Sequence, residues 1–284
     1  MFKVGLSSCS KRIDENLFKQ YKDAGIEFME VSLSKTECDE TDLERLKKLS
    51  EKYGVVLWSY HLPFMPFEEI DISSLDEEKR RKSVEYLSSL VLKATRVGIE
   101  IMVIHPSAEP ISDENRAKVM AASKKSLKEL CDVCEQNGAV LAVENLPRTC
   151  LGKNADEMAE LVSCDERLRV CFDTNHLLEE DFEKMFEKVG DKIITVHVSD
   201  YDFINERHWL PGEGKLDFKR MLKCFKESGY TGPWLYEINF GAPATIIRPR
   251  DLNCDDFVKN ANELFENKAF TIISTQKENL GMWG

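Results

Sequence analysis

Eight short apolar runs recur along the chain, each followed by a longer charged stretch whose apolar positions keep helical spacing. The runs are FKVGLSS (2–8), IEFMEVSL (26–33), VVLWSYH (55–61), IEIMVIH (99–105), AVLAVE (139–144), LRVCFD (168–173), KIITVHVS (192–199) and PWLYEIN (233–239). They are too continuously apolar for strands with one face in water, and read instead as parallel strands covered on both faces. The stretches between them, such as DETDLERLKKLSEKYG, DEEKRRKSVEYLSSLVLKATRVG and DFKRMLKCFKESG, open on acidic or capping residues. They close at Gly54, Gly98, Gly138, Gly190 or Gly229, where a left-handed C-cap is expected. Eight βα units is the number that closes a barrel, so an α/β fold of the (β/α)8 type is predicted.

A final helix is expected over about 251–267, followed by the tail TIISTQKENLGMWG, placed either over the barrel or in an oligomer contact. The 284 residues suit one barrel with embellishments, so a single domain over 1–284 is expected. No Pro-, Gly- or Ser-rich linker interrupts it. The chain shows no run of about 18 apolar residues and no charged-then-apolar leader pattern, which predicts a soluble, cytoplasmic protein with no membrane partner. Nine scattered cysteines are then expected as free thiols. The CxxC of Cys131 and Cys134 lies within a helical pattern rather than at a helix start after a strand, so it is read as core-facing. A net charge of −12 makes the average surface repel phosphate backbones, and a nucleic-acid partner is disfavoured.

All five histidines, His61, His105, His176, His197 and His208, fall at the C-terminal ends of strands or in the loops that follow. A barrel gathers those positions around one cleft. Carboxylates join them: Glu144 ends strand five, Asp173 ends strand six and Glu237 sits in strand eight. Few Lys or Arg stand at these ends to pair them, and an unpaired carboxylate in an apolar strand is costly. Glu144, Asp173, His197 and Glu237 therefore read as a mixed N/O site for one divalent metal, Mn, Co, Zn, Fe or Mg. The other reading is a set of buried salt bridges.

With VEN at 143–145, FDTNH at 172–176, HVSD at 197–200, PGEG at 211–214 and YE at 236–237, nearly the whole chain resembles the xylose isomerase-like TIM-barrel superfamily. That superfamily includes sugar epimerases, inosose dehydratases, hydroxypyruvate isomerases and endonuclease IV. Similarity to its ketose 3-epimerases implies a metal on Glu144, Asp173, His197 and Glu237, with the two glutamates exchanging a substrate proton. A chelated carbonyl and neighbouring hydroxyl would stabilise an enediolate, and carboxylates on opposite faces would remove and return the proton. His61, His105, His176 and His208 are then expected to contact a sugar or sugar phosphate.

The endonuclease IV branch implies a rival, a phosphodiester hydrolase with up to three zinc ions. They would lie on His61, His105 and Glu144; on Glu144, Asp173, His197 and Glu237; and on His176, Glu206 and His208. Glu206 stands where that family uses aspartate. A cyclic-polyol dehydratase would use the same parts as the epimerase, and a noncatalytic sugar-binding barrel is a third class. Trp58, Phe64, Phe67, Trp209 and Phe240 are candidates for stacking on a sugar ring or for rim packing. Arg148 and Arg207 are candidates for binding an anion or for surface ion pairs. PGEG shapes a tight turn after strand seven. Related barrels suggest a homo-oligomer.

Overall fold

The computed structural model describes residues 1–178 and 180–277. All eight predicted strands form: β1 Val4–Ser7, β2 Phe28–Ser32, β3 Val56–His61, β4 Ile101–Ile104, β5 Val140–Glu144, β6 Arg169–Asp173, β7 Ile193–His197 and β8 Trp234–Tyr236. Neighbours pair in parallel in the order β7-β6-β5-β4-β3-β2-β1-β8. The barrel closes between β7 and β8, where Val198 N–H donates to the Leu235 carbonyl at 2.8 Å and Glu237 N–H to the Val198 carbonyl at 3.2 Å. The fold is a (β/α)8 TIM barrel, as predicted.

Helices α1 Glu15–Ala24, α2 Lys35–Glu40, α3 Leu43–Tyr53, α4 Glu77–Arg96, α5 Asp113–Gln136, α6 Ala155–Val162, α7 Glu183–Val189 and α8 Phe218–Glu227 surround it, followed by α9 Cys254–Phe265. Capping sets most of their starts. Asp14, Ser34, Asp42, Asp76, Asn154, Asp217 and Asn253 each accept a first-turn backbone N–H. Asp42 divides the predicted DETDLERLKKLSEKYG helix, so α2 and α3 are separate. Gly54, Gly98, Gly138 and Gly229 take positive φ as expected. Gly190 does not: at φ −58° it runs on into a single 3-10 turn that feeds β7 directly, with no reversal for a left-handed cap to make.

Two apolar layers hold the barrel. Between strands and helices lies a continuous core containing Leu6, Val31, Met102, Val143, Phe172, Val196 and Trp234. Inside the barrel, Val103, Ala142 and Cys171 pack with Ile101 and Ile194. Cys131 and Cys134 are buried on α5, and burial pushes both thiols up to about 12, as suits packing rather than redox work. In the tail, β10 Thr275–Gln276 pairs antiparallel with β9 Ile246–Ile247, and Gln276 donates to the Glu213 carbonyl at 2.7 Å. The tail thus packs on the loops after β7 and β8; residues 278–284 lie outside the described residues. No helix among the described residues is long and apolar enough to cross a membrane.

Candidate metal centre

Side chains alternate along a strand, so the residue two places after an inward-facing one also faces inward. Ala142 and Cys171 fill the barrel interior, and Glu144 and Asp173 stand two residues beyond them at its C-terminal end. Two β-bulges adjust the rest. The β2–β3 register skips Trp58 and the β6–β7 register skips Ile194, which turns His61 and His197 into the same space. Glu237 follows β8 directly rather than lying inside it.

One ligand atom from each of Glu144, Asp173, His197 and Glu237 lies within 4.8 Å of the others. His197 Nδ1 is 3.1 Å from Glu144 Oε1, 3.4 Å from Glu237 Oε2 and 3.9 Å from Asp173 Oδ2. Asp173 and His197 are completely buried, whereas the Glu237 side chain keeps 13% exposure toward the cleft. Asp173 is held by its neighbours. Its N–H donates to Asn145 Oδ1 at 2.8 Å, Asn145 Nδ2 donates back to its carbonyl at 2.9 Å, and Asn175 N–H donates to its Oδ1 at 2.6 Å. Its other oxygen, Oδ2, is buried without a hydrogen-bond donor among the described residues and faces the other ligands.

The hydrogen bonding of the imidazoles calls for positive charge at the same place. His61 Nδ1 lies 3.0 Å from the Leu62 carbonyl, which can only accept, so that nitrogen carries the proton. Its Nε2 then meets Glu144 Oε2 at 3.1 Å, lone pair to lone pair unless the ring is protonated or a cation intervenes. His176 repeats the pattern, with Nδ1 at 2.9 Å from the Asn145 carbonyl and Nε2 at 3.1 Å from Glu206 Oε2. His197 has a carboxylate at each nitrogen, Glu30 Oε2 at 3.0 Å and Glu144 Oε1 at 3.1 Å.

The metal-free electrostatics follow. Burial pulls His61 down, but the hydrogen bond and charge of Glu144 outweigh it and push the ring up to about 9. Burial likewise opposes a charged His197, yet Cys171 and the surrounding carboxylates raise it well above its ordinary value. Burial pushes Asp173 up to about 6. Glu144 would be raised by burial, but His197 and His105 hold it well below the carboxylate range. An orphan carboxylate oxygen beside imidazoles forced to compensate carboxylates is a donor set that fits a divalent cation.

Four groups of three among the described residues reach the same 4.8 Å closeness; two of them, Glu144–Cys171–His197 and His61–His197–Glu237, overlap the four-ligand set in two members, and the others are His61, His105 and Glu144, and His176, Glu206 and His208. His105 Nε2 lies 3.2 Å from Glu144 Oε2, and Phe64 stacks on its ring with centroids 3.9 Å apart. His208 Nδ1 lies 3.2 Å from the Glu237 carbonyl. The structure thus brings every predicted site residue to one end of the barrel. His61, His105, His176, His208, Glu144 and Glu237 line a cavity of about 770 Å³, with Asp173 and His197 beneath its floor. Phe64 and Phe67 line it too.

Other candidates fall elsewhere. Trp58 crosses the barrel interior to donate to Thr195 Oγ1, Trp209 is fully buried against Thr245, and Phe240 packs on Phe257 and Lys11. Arg207 makes a buried pair with Asp202 at 3.0 Å rather than a surface one. The PGEG turn is organised by Asp200, whose Oδ2 accepts the N–H groups of Gly212 and Gly214, each at 2.9 Å. A Cβ on Gly214 would stand 2.3 Å from Asp200 Oδ1 and 2.4 Å from the Tyr201 carbonyl, which only glycine allows.

Glu30, in IEFMEVSL, escaped the sequence reading although it is a carboxylate in an apolar strand, the signal that singled out Glu237. It is completely buried, accepts from Ser59 Oγ at 2.8 Å, and holds His197 Nε2. A proton fixed on Nε2 turns the Nδ1 lone pair toward the carboxylates, as metal-binding histidines require. Glu30→Gln is expected to weaken zinc binding by roughly 10–100-fold, measured by competition with a chromogenic chelator. Unchanged affinity would show that Glu30 does not orient the ligand.

The chain matches the family model described as xylose isomerase-like TIM barrel over residues 18–251. It is 23% identical over 244 residues to fructoselysine 3-epimerase of Shigella flexneri, covering 81% of this chain and 87% of that protein. It is 27% identical over 208 residues to a probable endonuclease 4 of Nitratidesulfovibrio vulgaris, covering 64% and 71%. Its fold superposes on the crystal structure of a D-tagatose 3-epimerase-like protein with TM-score 0.76 and 24% identity, over 93% of this chain and 96% of the other. Eight closed parallel strands and a family match spanning most of their length lead to one conclusion: the chain belongs to the xylose isomerase-like TIM-barrel family.

Proposed function

We propose that the protein is a divalent-metal-dependent sugar isomerase or epimerase, with Glu144, Asp173, His197 and Glu237 as the metal ligands. The observation that carries this reading is the buried Asp173 Oδ2, which has no donor among the described residues and lies with three other ligand atoms at the floor of a sugar-sized cavity. The epimerases among the relatives support it. When bound, the metal supplies Lewis acidity toward a ketose carbonyl and so acidifies the neighbouring C–H.

The chain's own groups do the rest. Glu237 opens onto the cavity and removes the carbon-bound proton, and Glu144 relays one to the other face from His61, whose Nε2 lies 3.1 Å from its Oε2. His61, His105, His176 and His208 hold substrate hydroxyls, and Phe64 and Phe67 cover the ring and exclude water. The test is solvent-deuterium incorporation into a panel of ketoses and inososes, with and without Mn or Co. Exchange that requires metal is expected on at least one sugar, and no exchange on any would sink the reading. In parallel, Asp173→Asn is expected to strip the metal found by elemental analysis of the wild type.

A second reading has its own support. The groups His61–His105–Glu144 and His176–Glu206–His208 complete the three ligand sets implied for a trinuclear phosphodiester hydrolase, and probable endonucleases 4 are among the relatives. Against it stand the charge of −12 and the engagement of Glu206 by a guanidinium. Incision of an abasic duplex that survives purification and vanishes in His105→Ala would establish it.

A further inference from the structure

The third ligand group is complete in donors but not in charge. Glu206 Oε2 faces His176 Nε2 at 3.1 Å, while its Oε1 accepts from Arg148 Nη1 at 2.6 Å. The same guanidinium grips Glu109 with two bonds, Nε to Oε2 at 3.2 Å and Nη2 to Oε1 at 2.7 Å, and reaches Asn205 Oδ1 at 3.1 Å. One side chain on the loop after β5 thereby ties together the loops after β4 and β7, and through Glu206 the His176 loop after β6. Arg148 sits at φ +56°, a conformation that non-glycine residues avoid unless their surroundings impose it. Arg148, Glu109 and Glu206 all border the cavity.

We propose that Arg148 is a specificity-determining residue for the metal complement: its guanidinium satisfies Glu206 in place of a cation at His176–Glu206–His208 and keeps that trio from taking a metal. This rests on the reading that the four-ligand centre binds a divalent metal. A dication on Glu206 would have to share that carboxylate with a fixed positive charge held 2.6 Å from its other oxygen, and like charges that close repel. Removing the guanidinium leaves Glu109 and Glu206 as two uncompensated carboxylates beside two imidazoles, an attractive setting for zinc. The planar fork matters because it alone serves both carboxylates at once, which a lysine ammonium at this position would not do. In this way a chain carrying all the donors of a multinuclear site is kept to the chemistry of the four-ligand centre.

The experiment is zinc content per chain after equilibration with buffered Zn(II), by elemental analysis, for wild type, Arg148→Gln, Glu206→Gln, the double variant and Asp173→Asn. Arg148→Gln is expected to hold about one more zinc than wild type, lost again in the double variant. Wild type and Glu206→Gln are expected to match. Equal zinc in Arg148→Gln and wild type would overturn the proposal. So would a loss of zinc in Glu206→Gln, a comparison that stands even if Arg148→Gln fails to fold. Asp173→Asn reports separately: full zinc retention there would overturn the four-ligand reading itself.

Discussion

Glu237→Gln is expected to slow solvent-deuterium exchange on a responsive ketose by roughly 10³-fold while most of the metal stays bound. The amide keeps the shape and one oxygen of the carboxylate but cannot accept a proton at neutral pH. Glu237 is suited to such a separation of roles because its side chain opens onto the cavity and touches the cluster from one edge, 3.4 Å from His197 Nδ1. Glu144 is not. Its two oxygens are embedded among His61, His105 and His197, so Glu144→Gln would turn an amide group toward imidazoles and disturb ligation and proton transfer together. The measurement is the exchange rate at saturating sugar, with metal per chain determined on the same sample. A rate within about tenfold of wild type would remove Glu237 from proton transfer.

The second large effect concerns the metal-free protein. His61 is pushed up to about 9 in the folded chain, above the ordinary histidine value near 6.5 that applies when unfolded. The folded state therefore binds this proton more tightly, and its stabilisation is fully present below about pH 6.5 and is lost as pH rises through about 9. The loss is on the order of 3 kcal/mol for this buried ring. Denaturant unfolding of chelator-treated wild type at pH 6.5 and 9.5 is expected to show the fall, and His61→Gln to show a shallower one. Saturating zinc is expected to stabilise more at the higher pH, because the cation replaces the proton as the charge between imidazole and carboxylate. A pH dependence identical in wild type and His61→Gln would refute this account.

Much of this was legible in the chain. Each strand shows as a continuous apolar run because both faces of a barrel strand are buried, and the carboxylates at the C-terminal ends of those runs mark the site because a buried carboxylate is costly unless it is paired or binds a metal. Glu30 carries the same signal as Glu237, a carboxylate in an apolar strand, but lies in the middle of its run rather than at the C-terminal end where a barrel gathers its site. Gly190 departs from the expected cap because glycine after a helix signals one only when the chain must reverse.

The sequence by itself determined the number and order of the strands, the barrel they close, and the end at which histidines and carboxylates collect, since all of these follow from local periodicity and strand-end position. Tertiary structure alone decided which oxygens and nitrogens meet. The bulges at Trp58 and Ile194 set the facing of His61 and His197 through pairing with the neighbouring strand, which no local pattern encodes. The commitment of Glu206 to Arg148 joins residues 58 positions apart, and exists only because consecutive βα loops are brought to one rim.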